Sequence, residues 1–123
     1  TDWAGKGPIS YDELKPITEA PTGDVTIIDV REPSETAQGM IPSAVNVPLS
    51  EWPVAFKSSS GGNFEQKYAL PRPEYGQKMI VYCRTGKRSQ QALEELKKEG
   101  WANVRNFVGS WTEWSKQEKA RGK

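Results

Sequence analysis

The sequence predicts an α/β fold in three layers, with a central and mostly parallel sheet covered by helices on both faces. Two observations predict it. Short apolar runs rich in β-branched residues, VTIIDV at 25–30 and KMIVYC at 78–83, are typical of buried parallel strands. Segments with helical periodicity lie between and after these runs, and strands that alternate with helices indicate the crossover connections of a parallel sheet.

Two other segments are weaker strand candidates, SAVNVP at 43–48 and NVRNFVG at 103–109. Each could instead be a turn of buried helix. Their short length and their flanking Gly or Pro residues favour strands.

Helices are predicted on either side of these strands. The segment SYDELKPI at 10–17 opens with Ser10 and carries Glu13 three residues later, which is the spacing of a capping box. The last segment, SWTEWSKQEKA at 110–120, has the periodicity of a final amphipathic helix. Both would lie against the sheet through their apolar faces.

The clearest helix is SQQALEELKKEG at 89–100, which has a single apolar stripe. Ser89 is predicted to cap its start, and Gly100 is predicted to end it in the left-handed conformation. Upstream, KSSSGGN at 57–63 has the composition of a surface loop.

Composition limits the class of protein. The 123 residues include 17 Lys and Arg and 16 Asp and Glu, for a net charge of +1, and they fit one domain over 1–123 with its core at about 8–120. This balance gives no support for a nucleic-acid partner or a membrane surface. No apolar stretch approaches the roughly 20 residues that span a bilayer. We expect a monomer.

Cys83 is the only cysteine, and the chain has no histidine. One cysteine cannot form an intrachain disulfide, and without histidine it cannot build a zinc site, an iron–sulfur cluster or a Cys-His mechanism. We therefore predict no metal and no cofactor. A reduced cysteine indicates an intracellular compartment, either the cytoplasm or the mitochondrial matrix. The chain starts at Thr1, so a targeting segment removed before Thr1 is compatible with the sequence.

Cys83 ends an apolar run in VYCRTGKRS at 81–89, and three cations follow it. The stretch is predicted to be a strand-to-helix loop at the carboxyl end of a strand, where open α/β sheets bind ligands. A helix N-terminus, inward N–H groups around Gly86 and the cations would all favour a thiolate. Alternatively, the cysteine fills a strand beside a solvated basic loop. The spacing alone leaves both interpretations open.

Four segments, in this order and spacing, resemble those of a single-domain rhodanese in the thiosulfate sulfurtransferase family. They are IIDVREPSE at 27–35, GMIPSAVNVPLSEW at 39–52, IVYCRTGKRS at 80–89 and NVRNFVGSWTEW at 103–114. The resemblance implies a rhodanese-like three-layer domain with a five-stranded sheet. The chain departs from the family pattern at Met40, where a histidine is usual, and at Ser43 and Ser110, where glycines are usual.

The resemblance also implies an enzyme. Cys83 would take the outer sulfur of thiosulfate, form a persulfide and pass the sulfur to a thiol or to cyanide. The substrate-binding positions would be the rest of the loop and the residue after it: Arg84, Thr85, Gly86, Lys87, Arg88 and Ser89. A second hypothesis is a sulfur-relay or regulatory module whose Cys83 is loaded by a partner protein, because both functions need the same persulfide site.

A third hypothesis, a phosphatase or arsenate reductase of the same fold, is disfavoured by loop length. The related phosphatases and arsenate reductases carry Cys-x5-Arg, and the extra residue makes room for a tetrahedral anion. Here the spacing from Cys83 to Arg88 is Cys-x4-Arg. Upstream, Asp29 and Arg31 are expected to brace neighbouring loops, with the alternative that Arg31 steers anions.

Overall fold

The computed structural model describes residues 2–52, 54–56 and 63–122, so most of the predicted loop at 57–63 lies outside the described residues. The strands are β1 Val25–Asp29, β2 Val45–Asn46, β3 Lys78–Tyr82 and β4 Val104–Asn106. The helices are α1 Asp2–Gly5, α2 Tyr11–Glu19, α3 Pro33–Thr36, α4 Asn63–Tyr68, α5 Lys87–Glu99 and α6 Ser110–Ala120, with 3-10 turns at Leu49–Glu51 and Val54–Phe56. None of the described helices combines the length and the apolar character of a membrane span.

The sheet confirms the predicted parallel arrangement. Its strands lie in the order β2-β1-β3-β4, and every neighbouring pair is parallel. The chain leaves β1 toward one edge to form β2 and then returns to the other side of β1 to form β3. The order therefore reverses between β1 and β3, and their carboxyl ends, Asp29 and Tyr82, are paired in register. A crevice at such a reversal is where parallel sheets bind ligands.

Alternation along the strands divides the core into two layers. Met79, Val81 and Cys83 belong to the layer that contains the buried face of α5. Ile80 and Tyr82 belong to the opposite layer, which α2 and α6 cover. Cys83 therefore continues the inward alternation of β3 and faces α5, although it lies just past the strand.

The prediction of a five-stranded sheet is wrong for the described residues, among which the sheet has four strands. Next to the free edge of β4, the Ile9 N–H donates to the Asn106 carbonyl at 3.1 Å. The chain turns into a helix immediately afterwards, because Ser10 caps α2. An extended segment this short makes a contact with the edge but cannot build a ladder.

Two of the three predicted helix caps are confirmed. Ser10 caps α2 as predicted, with its hydroxyl accepting a hydrogen bond from the Glu13 N–H at 3.2 Å. Gly100 ends α5 in the left-handed conformation, also as predicted. The predicted Ser89 cap is wrong, because α5 begins earlier, at Lys87, and Gly86 occupies the capping position.

Candidate functional site

Cys83 lies at the carboxyl end of β3 and is only 1% exposed. Its main chain is held by the start of α6: its N–H donates to the Ser110 hydroxyl at 3.1 Å, and its carbonyl accepts from the Trp111 N–H at 2.9 Å. The Thr112 N–H donates to the carbonyl of Arg84 at 3.1 Å. The N–H groups in the first turn of a helix lack partners within the helix, and here they fix the segment that carries the cysteine.

The Cys83 sulfur is surrounded by donors from residues 83–88, here called the Cys83 loop, and from the helices beside it. The Gly86 N–H donates to Sγ at 3.0 Å. The Ser89 hydroxyl lies 3.4 Å from Sγ; the Ser110 hydroxyl lies 3.9 Å from it but gives its proton to the Phe107 carbonyl at 2.8 Å. A sulfur held in this way has donors available for a negative charge before any ligand binds.

These donors outweigh burial in setting the ionisation of the thiol. Burial by itself raises the pKa of Cys83. The hydroxyl and N–H of Ser89 and the N–H groups of Gly86 and Thr85 lower it, and the net pKa of the thiol lies below its ordinary value. Cysteines become nucleophilic as thiolates, so this arrangement can produce a reactive sulfur without histidine.

Gly86 is required at its position by both conformation and space. Its φ is +100°, a region that side chains rarely adopt, and a Cβ there would lie 2.5 Å from the carbonyl oxygen of Val108. The Asn106 side chain donates to the Gly86 carbonyl at 3.3 Å. The close approach of two backbone segments therefore sets the direction of the Gly86 N–H.

The three cations of the Cys83 loop occupy different environments. Arg88 makes a two-pronged ion pair with Glu35, at 2.7 and 2.8 Å, and the hydrogen bonds from Arg88 lower the pKa of Glu35 to about 2. Arg84 and Lys87 are exposed, and neither contacts a carboxylate among the described residues. Thr85, also exposed, lies between them at the surface. The loop thus presents two solvent-facing cations and one that is already paired.

Asp29 and Arg31 act as the predicted brace. Arg31 is 2% exposed, and its guanidinium donates to the Asp29 carboxylate at 2.7 Å and to the Gly39 carbonyl at 2.6 Å. The ring of Trp111 lies 4.7 Å from the same guanidinium. With its donors used inside the fold, Arg31 is not placed to steer anions from solvent.

Two residues at this site were not identified as functional from the sequence. Glu35 lies at the end of the IIDVREPSE segment, but only the fold brings it to Arg88. In the sequence, Ser110 stands out only because the family pattern has a glycine at this position. Its contacts with the backbone and sulfur of Cys83 depend on where α6 begins, which spacing does not reveal.

Comparison with known proteins agrees with this geometry. The family model described as "Rhodanese-like domain" matches residues 10–117. Thiosulfate:glutathione sulfurtransferases of Saccharomyces cerevisiae and Homo sapiens are 33% and 31% identical, over 85% and 94% of this chain and 75% and 98% of theirs. The solved S. cerevisiae single-domain sulfurtransferase RDL2 has a TM-score of 0.83 at 26% identity, covering 93% of this chain and 92% of that one. RDL2 is named as a mitochondrial thiosulfate sulfurtransferase.

Proposed function

The chain belongs to the rhodanese-like domain family, and we propose that it is a thiosulfate sulfurtransferase that carries the transferred sulfur on Cys83. The observation that carries the proposal is the environment of the Cys83 sulfur. It is buried, it accepts the Gly86 N–H at 3.0 Å, and its pKa is lowered by the surrounding donors. The names of its relatives support the same reaction class.

In the first step, the Cys83 thiolate attacks the outer sulfur of thiosulfate. A new S–S bond forms at Cys83, the original S–S bond of thiosulfate breaks, and sulfite leaves with that electron pair. The step itself transfers no proton, because the attacking group is the Cys83 thiolate and sulfite leaves as an anion. This step therefore suits a site that has hydrogen-bond donors but no histidine base.

In the second step, a nucleophile attacks the outer sulfur of the persulfide, and the electron pair of the S–S bond returns to Cys83. A thiolate acceptor yields its own persulfide, and cyanide yields thiocyanate. The donors around Cys83 are suited to both intermediates, since they face a negative sulfur before and after the transfer. The two covalent steps predict ping-pong kinetics.

The surrounding loop would recognise the anionic donor. The exposed Arg84 and Lys87 attract thiosulfate toward the Cys83 loop, and the N–H groups of Thr85 and Gly86 bind its charge near the sulfur. Arg88 would contribute through the position of the loop, since it is held by Glu35, and Ser89 through its hydroxyl, which lies 3.4 Å from Sγ. The compartment, mitochondrial matrix or cytoplasm, stays a prediction.

Intact-protein mass spectrometry after incubation with thiosulfate tests this function. We expect the wild type to gain the mass of one sulfur atom and to lose it again on addition of cyanide or glutathione. Cys83→Ser is the matched control, because it replaces only the sulfur atom by oxygen, and it should gain nothing.

Two outcomes would contradict the proposal. A wild-type protein that stays unmodified by thiosulfate is not a thiosulfate sulfurtransferase, and modification by a persulfide donor alone would instead favour the sulfur-relay hypothesis. Sulfur gain by Cys83→Ser would show that another group carries the sulfur.

A further inference from the structure

We infer that Ser110 is a positioning residue for Cys83: its hydroxyl holds the main chain of the cysteine so that the sulfur meets its donors in the Cys83 loop. This inference rests on the proposed function for its consequence in sulfur transfer. Its effect on the thiol itself can be measured without any sulfur donor.

The first observation is the backbone conformation of Ser110, which is costly for this residue type. Its φ is +56°, in the left-handed region where a non-glycine residue is uncommon. Strain of this kind persists where the surrounding structure imposes it, and it clusters at functional sites. A glycine would adopt the same conformation without the cost, so what the serine adds is its hydroxyl.

The second observation is what that hydroxyl contacts. Ser110 is fully buried, and its Oγ accepts a hydrogen bond from the Cys83 N–H at 3.1 Å while it donates to the Phe107 carbonyl at 2.8 Å. The β3–β4 pairing ends at Val81 and Asn106. Past that point, the hydroxyl supplies the acceptor for the buried Cys83 N–H, which would otherwise carry the penalty of an unpaired donor.

These contacts form a bridge between two elements. Through Phe107 the hydroxyl is tied to the segment after β4, and through the Cys83 N–H it is tied to the segment after β3. The Trp111 N–H holds the other side of the same residue, through the Cys83 carbonyl at 2.9 Å. Fixing both backbone polar groups of Cys83 fixes the direction of its Cα–Cβ bond, and hence the distance from Sγ to the Gly86 N–H.

Ser43 provides an internal comparison. It too has a left-handed conformation, with φ of +68°, but it is exposed and makes no hydrogen bond with the Cys83 loop among the described residues. Replacing either serine by glycine removes the same kind of strain. Only the replacement at Ser110 also removes a hydroxyl next to the cysteine.

The experiment measures iodoacetamide alkylation of Cys83 against pH, together with thermal unfolding, for wild type, Ser110→Gly, Ser110→Ala and Ser43→Gly. Since Cys83 is the only cysteine, every alkylation event reports on it. We expect the alkylation midpoint of both Ser110 variants to rise by up to about one pH unit, the size expected for loss of one hydrogen bond. Ser43→Gly should keep the wild-type midpoint.

Melting temperatures show whether a shifted alkylation midpoint comes from the position of the thiol or from a general loss of stability. We expect Ser110→Gly to melt no lower than Ser110→Ala, because the glycine relieves the strain that the alanine keeps. A wild-type alkylation midpoint in both Ser110 variants would overturn the inference. So would a shifted midpoint in Ser43→Gly equal to theirs.

Sulfur transfer supplies the last readout. If the wild type gains sulfur from thiosulfate, both Ser110 variants should gain it about tenfold more slowly, in proportion to the loss of the same hydrogen bond. A wild type that gains no sulfur refutes the proposed function, and the alkylation profiles still decide the role of Ser110.

Discussion

Two buried groups lie just past the carboxyl ends of the neighbouring strands β1 and β3, and the fold treats them in opposite ways. Arg31 follows β1, and its charge is neutralised by the Asp29 carboxylate at 2.7 Å. Cys83 follows β3, and its sulfur makes hydrogen-bond contacts with a backbone N–H and a hydroxyl, while the charge of Arg88 acts on it only through space. A charge with a fixed counter-charge braces the fold, whereas a group surrounded by donors is ready for charge that appears during a reaction.

The largest effect is expected on stability, when Arg31, the buried group that follows β1, is replaced. Arg31→Ala leaves the fully buried Asp29 without its partner, so we expect the free energy of unfolding to fall by about 3–5 kcal/mol. Chemical denaturation measures it. The matched control is Lys78→Ala, which breaks the exposed pair with Asp24 and should cost less than about 1 kcal/mol. Equal losses in the two variants would contradict the role of Arg31 as a brace.

The next largest effect is expected on the rate of sulfur uptake, when the Cys83 loop after β3 is altered. In Gly86→Ala, the new Cβ would lie 2.5 Å from the Val108 carbonyl oxygen, so the backbone must shift and take its N–H away from Cys83. We expect the rate of sulfur uptake from thiosulfate to fall by about 100-fold, as for misplaced groups in active sites. Gly23→Ala is the control, because Gly23 has φ of +84° but open space around it. Equal rates of sulfur uptake in Gly86→Ala and Gly23→Ala would contradict the role of Gly86 in holding its N–H against Cys83.

The ion pair that anchors the Cys83 loop predicts a smaller effect on acid stability. The pKa of Glu35 falls from 4.5 to about 2 on pairing with Arg88. A carboxyl with a lowered folded pKa stabilises the fold above its unfolded pKa, and this contribution is lost as the pH falls from 4.5 toward 2. Glu35→Gln should therefore lose about 1–2 kcal/mol at neutral pH, since the pair is partly exposed.

The pH dependence distinguishes this pair from general acid unfolding. Glu35→Gln should show a shallower decline in stability between pH 4.5 and 2 than the wild type. The exposed Glu74 offers a control, and Glu74→Gln should follow the wild-type curve. Parallel curves for the wild type and Glu35→Gln would show that the ion pair does not carry the acid sensitivity.

The smallest effect is expected for the exposed cations. Lys87→Ala should raise the KM for thiosulfate about two- to fivefold at low salt with little change in kcat, because a solvated charge attracts the anion without touching Cys83. The increase should disappear at high ionic strength. Lys98→Ala, at the far end of α5, is the control. A tenfold loss of kcat in Lys87→Ala would place this side chain at the reacting sulfur.

Structural features that depend on one short segment could be predicted from the sequence. The apolar runs that became β1 and β3 were located to within one residue, because a strand buried on both faces needs uninterrupted apolar residues. Ser10 and Gly100 were recognised for the same reason, since each cap depends on its own residue type.

Features that depend on distant residues were not predicted. Glu35 and Arg88 are 53 positions apart, and their pairing requires the folded crossover between β1 and β3. Ser89 has the residue type of a helix cap, but its hydroxyl lies 3.4 Å from Sγ and 3.1 Å from the Gly86 carbonyl instead. The Ser110 contact likewise depends on where α6 meets β3. The position of Cys83 just past β3 could thus be predicted, but the groups that hold its sulfur could not.

The most direct test of the account is the alkylation rate of Cys83 against pH, compared in three samples: the native wild type, the wild type unfolded in urea, and native Arg84→Ala/Lys87→Ala. We predict a midpoint for the native wild type below that of the unfolded chain, and the same midpoint for the double variant, because hydrogen-bond donors of the fold set the thiol pKa. A native midpoint equal to that of the unfolded chain would contradict this account, as would a double variant whose midpoint returns to the unfolded value.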